Sequence, residues 1–169
     1  MTYRPKLFVG LDLDQRVRAR CSEVAVRLES QGLHARFEAP EKLHITLAFL
    51  GWVDAEQVEP IRNVMRAVAA TSPRFTLTLD KLGAFPHERN PHIVWIGTRE
   101  QGQAFLNLAQ TMRAGYSDIG FHFDKDAVAH VTIARIKEQR VHLPLLEVKP
   151  MRLSVNELTL FESLPAAGS

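Results

Sequence analysis

The sequence predicts an α+β fold in which two pseudo-symmetric lobes face each other across a central cleft. Strand-like and helix-like stretches alternate along the chain with short links, and no linker-like or low-complexity segment divides it. In addition, the tetrapeptide His-Ile-Thr-Leu at residues 44–47 returns as His-Val-Thr-Ile at residues 130–133, at comparable places in the two halves. We therefore expect one bilobal domain over residues 1–169, each lobe being an antiparallel sheet with helices on its outer face.

The composition is that of an ordinary globular domain. Apolar residues make up 46% and charged residues 24% of the 169 residues. The formal charge of +2 and the pI of about 8.9 allow an anionic ligand, but they are too small to indicate extended wrapping of nucleic acid. Cys21 is the only cysteine, which excludes an intramolecular disulfide and a thiolate-rich metal site.

The sequence lacks the features of a secreted or membrane protein. Its N-terminus does not have the basic-then-apolar layout of a signal peptide. No apolar stretch approaches the roughly 20 residues that are needed to cross a bilayer. We therefore expect no association with a membrane and a location in the cytoplasm.

Up to residue 79, the pattern predicts four strands and two helices. The expected strands are residues 6–13, 34–38, 43–50 and 75–79, with a turn at residues 40–42. Asp14 is placed to cap the first helix, whose apolar residues share one face, and Gly32 is placed to end it in a left-handed conformation. Asp54 and Gln57 form a capping box for the second helix, and Gly51 is expected to break the strand before it.

Beyond residue 79, the pattern predicts a third helix and further strands. The expected strands are residues 92–97, a short one near 121–123, the second motif strand from residue 130, and residues 151–155 and 158–162. Residues 83–91 are turn-rich and are expected to form a loop. Thr98 and Gln101 match a second capping box, which would open a helix that ends at Gly115. Residues 165–169 are expected to fray.

The repeated motif places reactive side chains on one face of each strand. Each copy alternates polar and apolar residues with a period of two, so His44 and Thr46 point the same way, as do His130 and Thr132. Two matched imidazole–hydroxyl pairs suggest one site, built by bringing the two strands together. The alternative is that both are core strands whose polar residues lie at sheet edges.

Two His-Thr pairs suit acid-base chemistry at phosphorus. Histidine has an unperturbed pKa of about 6.5, so one imidazole can accept a proton while the other donates one. Two threonine hydroxyls can donate to the non-bridging oxygens of a phosphate and offset charge that develops there. This arrangement fits an in-line displacement, and a cyclic phosphodiester fits especially well because its ring strain assists cleavage.

Other residues carry weaker signals. A serine hydrolase elbow, a phosphate-binding glycine loop and a dinucleotide fingerprint are absent from the sequence. His87 and His92 bracket a turn-rich loop without a ligand partner at standard spacing, so we expect surface residues and no bound metal. Arg135 lies five residues after His130, and this odd spacing points it to the opposite face unless the strand twists or ends. Its role is therefore open between a surface salt bridge and the site. The isolated histidines, expected to be structural or exposed, are His34, His122 and His142.

At the two motifs, the chain resembles the two-histidine phosphoesterase superfamily, whose hallmark is a pair of His-x-Thr-x sequences. Within it, the chain is most similar to the bacterial and archaeal RNA 2′,3′-cyclic phosphodiesterase family, once named 2′-5′ RNA ligase. The segments that carry the similarity are residues 7–13, 41–51, 83–86, 94–97 and 130–135. The resemblance implies two similar α+β lobes around a water-filled cleft, with no metal and no cofactor.

The resemblance also implies roles for five residues. His44 would protonate the leaving 3′-oxygen, and His130 would activate the attacking water. Thr46 and Thr132 would bind the phosphate, and Arg135 matches an arginine that contacts it in the family. The product would be a terminal 2′-phosphate.

Two alternatives to hydrolysis remain open. In a 2′-5′ RNA ligase, a ribose hydroxyl replaces water in the same displacement. In a non-catalytic module for RNA ends or nucleotides, Phe8 and Phe49 would stack on bases, and basic residues such as Arg135 would contact phosphates. The expected partner is RNA with a 2′,3′-cyclic phosphate end or a small cyclic nucleotide, bound by a monomer. Many relatives carry proline directly before the second histidine, where this chain has Ala129, so we expect the entry of that strand to differ slightly.

Overall fold

The computed structural model describes residues 3–138 and 141–165. Within these ranges it contains nine strands, three α-helices and one short 3-10 turn. The strands are β1 Lys6–Asp12, β2 Arg36–Phe37, β3 His44–Trp52, β4 Phe75–Leu79, β5 Lys81–Phe85, β6 Ile93–Gly97, β7 His130–Arg135, β8 Met151–Val155 and β9 Thr159–Glu162. The helices are α1 Gln15–Ser30, α2 Ala55–Thr71 and α3 Gln103–Asp118, and the 3-10 turn is Pro40–Lys42.

Seven of these strands form one antiparallel sheet in the order β5-β6-β7-β3-β1-β9, with β2 pairing to β7 outside this path. Strands β4 and β8 form a separate two-stranded sheet. The motif strands β3 and β7 are neighbours in the large sheet, yet only one residue pair, Ile45–Val131, joins them. The sheet therefore divides into two halves, each centred on one motif strand, and the predicted α+β fold with two lobes is confirmed.

The hydrophobic core lies between the large sheet and the helices. Its sheet side includes Ile45 and Val131, which are fully buried and alternate with the polar motif residues. Its helix side includes one apolar face of each helix; those residues are Val17, Cys21, Val24 and Leu28 of α1, Ile61 and Val68 of α2, and Phe105, Leu108, Ala109, Met112 and Tyr116 of α3. The histidines and threonines of the motifs consequently point to the opposite face of the sheet, which we call the histidine face. Every helix in the described ranges is too short or too polar to cross a membrane.

Most predicted helix and strand signals are confirmed. The side chain of Asp14 accepts a hydrogen bond from the Val17 amide at the start of α1, and Gly32 follows the helix with a φ of +90°. The Gln57 side chain accepts from the Asp54 amide at 3.0 Å, as in a capping box. Strands β1, β3, β4, β6, β7, β8 and β9 overlap their predicted ranges, and the short strand predicted at 34–38 is reduced to β2.

Two strand predictions are wrong, and in both a glycine was taken to indicate a strand end or a loop. Gly51 does not end β3; it adopts a φ of +76° at an irregularity and the strand continues to Trp52. Residues 83–85 are not a loop, because they belong to β5 and pair with β6. Gly83 is needed here for space, since a Cβ at this position would lie 2.3 Å from the indole of Trp95.

Two further predictions in the second half are also wrong. The third helix does not begin at the Thr98–Gln101 pattern; it begins at Gln103 after Gly102, whose φ is +75°, and it continues past Gly115 to Asp118. Residues 121–123 form no strand, although Phe121 and Phe123 still pack against the core. Except for Pro165, the tail that was expected to fray lies outside the described residues.

Candidate active site

The register of β3 and β7 brings the two motifs together on the histidine face. Ile45 and Val131, the single pair that joins the strands, occupy the same position in the two motifs. Because the strands are antiparallel, His44 lies on the side of Thr132, and Thr46 lies on the side of His130. All four of these side chains are half-buried. The antiparallel pairing thus relates the two imidazoles by a local two-fold axis on one face of the sheet.

A bulge follows the threonine in both motif strands. The register of β3 against β1 skips Leu47, and the register of β7 against β6 skips Ile133. Each skipped residue and the alanine after it are buried, so the alternation of side chains shifts by one residue. As a result, Phe49 and Arg135 return to the histidine face. The odd spacing between His130 and Arg135 is therefore compatible with a place beside the histidines.

The carbonyl groups of both bulged residues are paired by other parts of the chain. The Leu47 carbonyl accepts from Arg113 Nε at 3.0 Å, and Arg113 also donates to the Lys125 carbonyl. The Ile133 carbonyl accepts from the Glu38 amide at 2.9 Å. These bonds satisfy groups that a regular ladder would have paired, and they fix the bulges in place.

The same backbone contact orients both imidazoles. Nδ1 of His44 lies 2.7 Å from the Lys42 carbonyl, and Nδ1 of His130 lies 2.7 Å from the Val128 carbonyl. A carbonyl can only accept, so Nδ1 carries a proton in both rings and Nε2 is left to gain or lose one. Nε2 of His44 lies 3.1 Å from the Thr46 hydroxyl.

Burial lowers the pKa of both histidines below the usual value, but their charged neighbours differ. For His44, burial is partly opposed by the Lys42 carbonyl and by the carboxylates of Glu38 and Asp12, while the charge of Arg135 lowers the pKa further. For His130, burial is opposed by the Val128 carbonyl, and the charge of His44 lowers the pKa further. Carboxylates thus favour the protonated form of His44, whereas His130 faces a second imidazole.

Aromatic rings line each histidine. The ring of Phe8 lies 4.6 Å from that of His44 and stacks at 4.9 Å on Phe161. On the other side, Phe85 meets His130 edge-on at 5.0 Å, and Trp95 lies 6.2 Å from the same imidazole. Each imidazole therefore has two aromatic neighbours, which limit its contact with water.

Gln101 links the residue before the second motif strand to the residue that follows β6. Its Oε1 accepts from the Ala129 amide at 2.6 Å, and its Nε2 donates to the Thr98 hydroxyl at 3.0 Å. Proline at position 129 could not make the first of these bonds because it has no N–H. The alanine at position 129, where many relatives have proline, thus supplies a backbone amide that the Gln101 side chain pairs.

Sequence reasoning placed Phe8, Phe49 and Arg135 in the site, and all three lie on the histidine face. It missed several residues that contact or polarise the motifs, namely Asp12, Glu38, Phe85, Trp95, Gln101, Arg113 and Phe161. Asp12, Phe85 and Trp95 fall in segments that carry the family resemblance, so the resemblance could have identified these three. All five histidines outside the motifs are exposed, which confirms the prediction that they lie at the surface; they are His34, His87, His92, His122 and His142. Within the described part of the chain, no three His, Cys, Asp or Glu side chains are grouped so that they could hold a metal ion.

Known proteins share both the sequence and the fold. The family model described as LigT like Phosphoesterase matches residues 11–95 and 96–168, so each match contains one motif. The chain is 36% identical over 135 residues to an RNA 2′,3′-cyclic phosphodiesterase of Archaeoglobus fulgidus, covering 79% of this chain and 74% of that protein. It is 30% identical over 170 residues to an Escherichia coli K12 protein of the same name, covering 99% and 92%.

Solved structures match over most of the chain. A crystal structure of E. coli LigT with 3′-AMP superposes with a TM-score of 0.75 at 28% identity, covering 99% of this chain and 92% of that one. A protein of Thermus thermophilus superposes with a TM-score of 0.82 at 25% identity, covering 92% and 86%.

Proposed function

The chain belongs to the LigT-like phosphoesterase family, and from this premise we propose that it hydrolyses 2′,3′-cyclic phosphates at the ends of RNA or on nucleotides. The observation that carries the proposal is the pairing of Ile45 with Val131, which sets two His-Thr pairs about one local two-fold axis. Several curated relatives are named RNA 2′,3′-cyclic phosphodiesterase, and a related LigT structure contains 3′-AMP.

The proposed reaction is an in-line displacement at phosphorus. Nε2 of His130 accepts a proton from water, and the water oxygen forms a bond to phosphorus. The bond between phosphorus and the 3′-oxygen breaks on the opposite side, and His44 donates the proton from its Nε2 to that oxygen. The products are a 2′-phosphate and a free 3′-hydroxyl. Thr46 and Thr132 donate to the non-bridging oxygens, where negative charge increases.

The charges around the two imidazoles support this division of roles. An acid must hold a proton before the reaction, and the carboxylates of Glu38 and Asp12 favour the protonated form of His44. A base must be neutral, and burial lowers the pKa of His130, with the charge of His44 lowering it further. The motifs are equivalent in sequence, so these neighbours supply the asymmetry that the reaction requires.

Product analysis and single substitutions test the proposal. A 2′,3′-cyclic mononucleotide is expected to give the 2′-phosphate, identified by phosphorus NMR, and activity is expected to persist in a chelator because side chains supply both proton transfers. His44→Ala and His130→Ala are each expected to lower kcat by about 10²–10⁴-fold, as for other general acids and bases. The matched control is His34→Ala at an exposed histidine, which should retain full activity.

Two outcomes would contradict the assignment. A 3′-phosphate product would mean that the other ester bond breaks, and near wild-type turnover in either site variant would remove that histidine from proton transfer.

A binding module without catalysis is disfavoured because the Nδ1 proton of each histidine is held by a carbonyl group. This leaves Nε2 of both rings free to gain or lose a proton, which binding alone does not need. A ligase would use the same groups with a ribose 5′-hydroxyl in place of water, and RNA fragments with that end distinguish it. A monomeric, cytoplasmic protein remains a prediction that sedimentation and cell fractionation can test.

A further inference from the structure

The histidine face continues beyond His44 as a strip of aromatic side chains, which we call the aromatic track. Phe8 in β1 pairs in register with Phe49 in β3, and Lys6 pairs with Trp52. Phe8 also pairs with Phe161 in β9. The track therefore runs from the imidazole of His44, past the stacked rings of Phe8 and Phe161, to Phe49 and Trp52 near the far end of β3.

Two bulges in β3 keep the outer rings of the track on the histidine face. The bulge at Leu47 shifts the alternation by one residue and brings Phe49 to this face. A second register shift skips Leu50, where Gly51 adopts a φ of +76°. With the first bulge alone, the Trp52 side chain would point toward the helices. The second bulge shifts the alternation again and places Trp52 on the histidine face. Gly51 was predicted to break the strand. Instead, its bulge sets the direction of the Trp52 indole.

The outer part of the track is exposed and carries a positive charge. Phe49 is 52% exposed and Trp52 is 62% exposed, whereas the other tryptophan, Trp95, is 8% exposed. The ammonium group of Lys6 lies 5.4 Å from the centre of the Phe49 ring and 5.9 Å from that of Trp52. Two exposed rings beside one cation match the chemistry of a base and its phosphate.

We propose that the aromatic track binds single-stranded RNA upstream of the cyclic phosphate, with bases stacked on Phe49 and Trp52 and a phosphate beside Lys6. The inference rests on the proposed function, because the track is continuous with the His44 site and so receives the chain attached to the reacting end. Strand β3 from His44 to Trp52 is on the order of 25 Å long, enough for a few nucleotides. Oligonucleotides are thus better substrates than mononucleotides.

Substrates of two lengths test the inference. The enzyme is given a 2′,3′-cyclic mononucleotide and a hexaribonucleotide that ends in the same cyclic phosphate, and kcat/KM is measured for each. Trp52→Ala is expected to lower the ratio of the hexamer value to the mononucleotide value by roughly tenfold, as expected for loss of one stacked base. Val26→Ala is the matched control, since Val26 is equally exposed but lies on α1, on the other side of the sheet.

The outcomes separate this inference from the proposed function. If the wild-type protein hydrolyses neither substrate, the proposed function is wrong. If it hydrolyses both and Trp52→Ala leaves the ratio unchanged, the function stands and the track is not a binding surface. An equal fall of the ratio in Val26→Ala would also overturn the inference, because the loss would not be specific to the track.

Fluorescence gives a second measurement that does not need turnover. The chain has two tryptophans, so emission of exposed Trp52 is obtained as the difference between wild type and Trp52→Phe. A hexaribonucleotide ending in a 2′-phosphate is expected to quench that difference signal. Lys6→Gln is expected to lower the salt dependence of binding, with the slope of log K against log salt reduced by about 0.7. Quenching that is equal in Trp52→Phe, or absent, contradicts the proposal.

Discussion

At the scale of single residues, the two motif histidines are alike in geometry and differ in charge. Each donates from Nδ1 to the carbonyl two residues before it, so the backbone alone would make them interchangeable. Glu38 and Asp12 lie near His44, and Asp12 is its register partner in β1. In the proposed reaction, the assignment of acid and base therefore depends on residues outside the motif, so the motif alone identifies the pair of histidines without assigning their roles.

Arg135 provides a prediction at this scale. Its Nε donates to Glu38 Oε1 at 2.9 Å, which leaves its terminal nitrogens available to a phosphate. Arg135→Met is expected to lower kcat/KM by about 10–100-fold, the usual range for losing a hydrogen bond to a charged group. Arg135→Lys should recover part of the loss, since lysine keeps the charge without the planar fork. Steady-state kinetics on a cyclic mononucleotide measure both.

A pH profile distinguishes a direct role of Arg135 from a structural one. The charge of Arg135 lowers the pKa of His44, so removing it should move the alkaline limb of kcat/KM, set by protonated His44, to higher pH. The control is Arg66→Met, which removes an arginine that is also ion-paired to a glutamate but lies on α2. An unchanged alkaline limb in Arg135→Met would place the arginine outside the electrostatics of the site.

At the scale of secondary-structure elements, the bulges decide which side chains enter the site. Period-two alternation correctly predicted β3 and β7 and the shared face of each His-Thr pair. It could not predict the face of Arg135, because one inserted residue reverses every position after it. The only trace in the sequence is a pair of adjacent apolar residues after each threonine, Leu-Ala and Ile-Ala, and such pairs also occur in regular buried strands.

The second capping-box prediction failed for a related reason. Thr98 and Gln101 have the right local spacing, and their side chains do contact each other. However, Gln101 also accepts from the Ala129 amide, which is 28 residues away in the sequence. A local pattern cannot reveal a distant partner, so the helix start was placed too early. The same limit hid Glu38 and Arg113, whose contacts with the bulges join residues even farther apart in the sequence.

Arg113 gives a prediction for these elements. Arg113→Met leaves the Leu47 carbonyl without its partner and releases the Lys125 carbonyl in the segment before His130. We expect the free energy of unfolding to fall by about 1–3 kcal/mol, the usual cost of an unsatisfied buried group, together with a loss of turnover. Urea denaturation measures the first quantity. Arg113→Lys should be intermediate, and Arg62→Met at an exposed ion pair should change little.

If Arg113→Met keeps wild-type stability, the arginine is not what pairs the bulge carbonyl in solution. If stability falls but kcat per folded molecule is unchanged, the bulge at Leu47 is maintained by the ladder with β1 alone.

At the scale of the whole molecule, the sequence predicted the two-lobe plan but not how the lobes join. Repetition of the motif and the apolar stripes of the helices indicated two similar halves and a common core. Nothing local shows that β3 and β7 are neighbours in one sheet, because their pairing depends on residues in opposite halves of the chain. The single Ile45–Val131 pair is therefore the feature of the site that required a structure.

That junction also makes stability depend on pH. Burial holds both motif histidines at a lowered pKa, while in the unfolded chain they titrate near 6.5. Below pH 6.5 the unfolded state therefore binds more protons than the folded state, so the free energy of unfolding falls as the pH falls and is fully retained above that value. Urea denaturation at pH 7.5 and 5.5 should show this decrease, and it should be smaller in the double variant His44→Gln, His130→Gln.

A bound 2′-phosphate product should reverse the sign of this pH dependence. Its negative charge lies between the two imidazoles in the proposed site and favours their protonated forms, so acid should tighten product binding while it weakens the free protein. Calorimetric titration with a 2′-nucleotide over the same pH range measures the product's Kd, and in the double variant the pH dependence of both the Kd and the free energy of unfolding should be smaller. If the double substitution changes the pH dependence of only the Kd or only the free energy of unfolding, the groups that destabilise the protein in acid are not the groups that hold the phosphate. A shared response would tie the catalytic pair to the stability of the junction between the lobes.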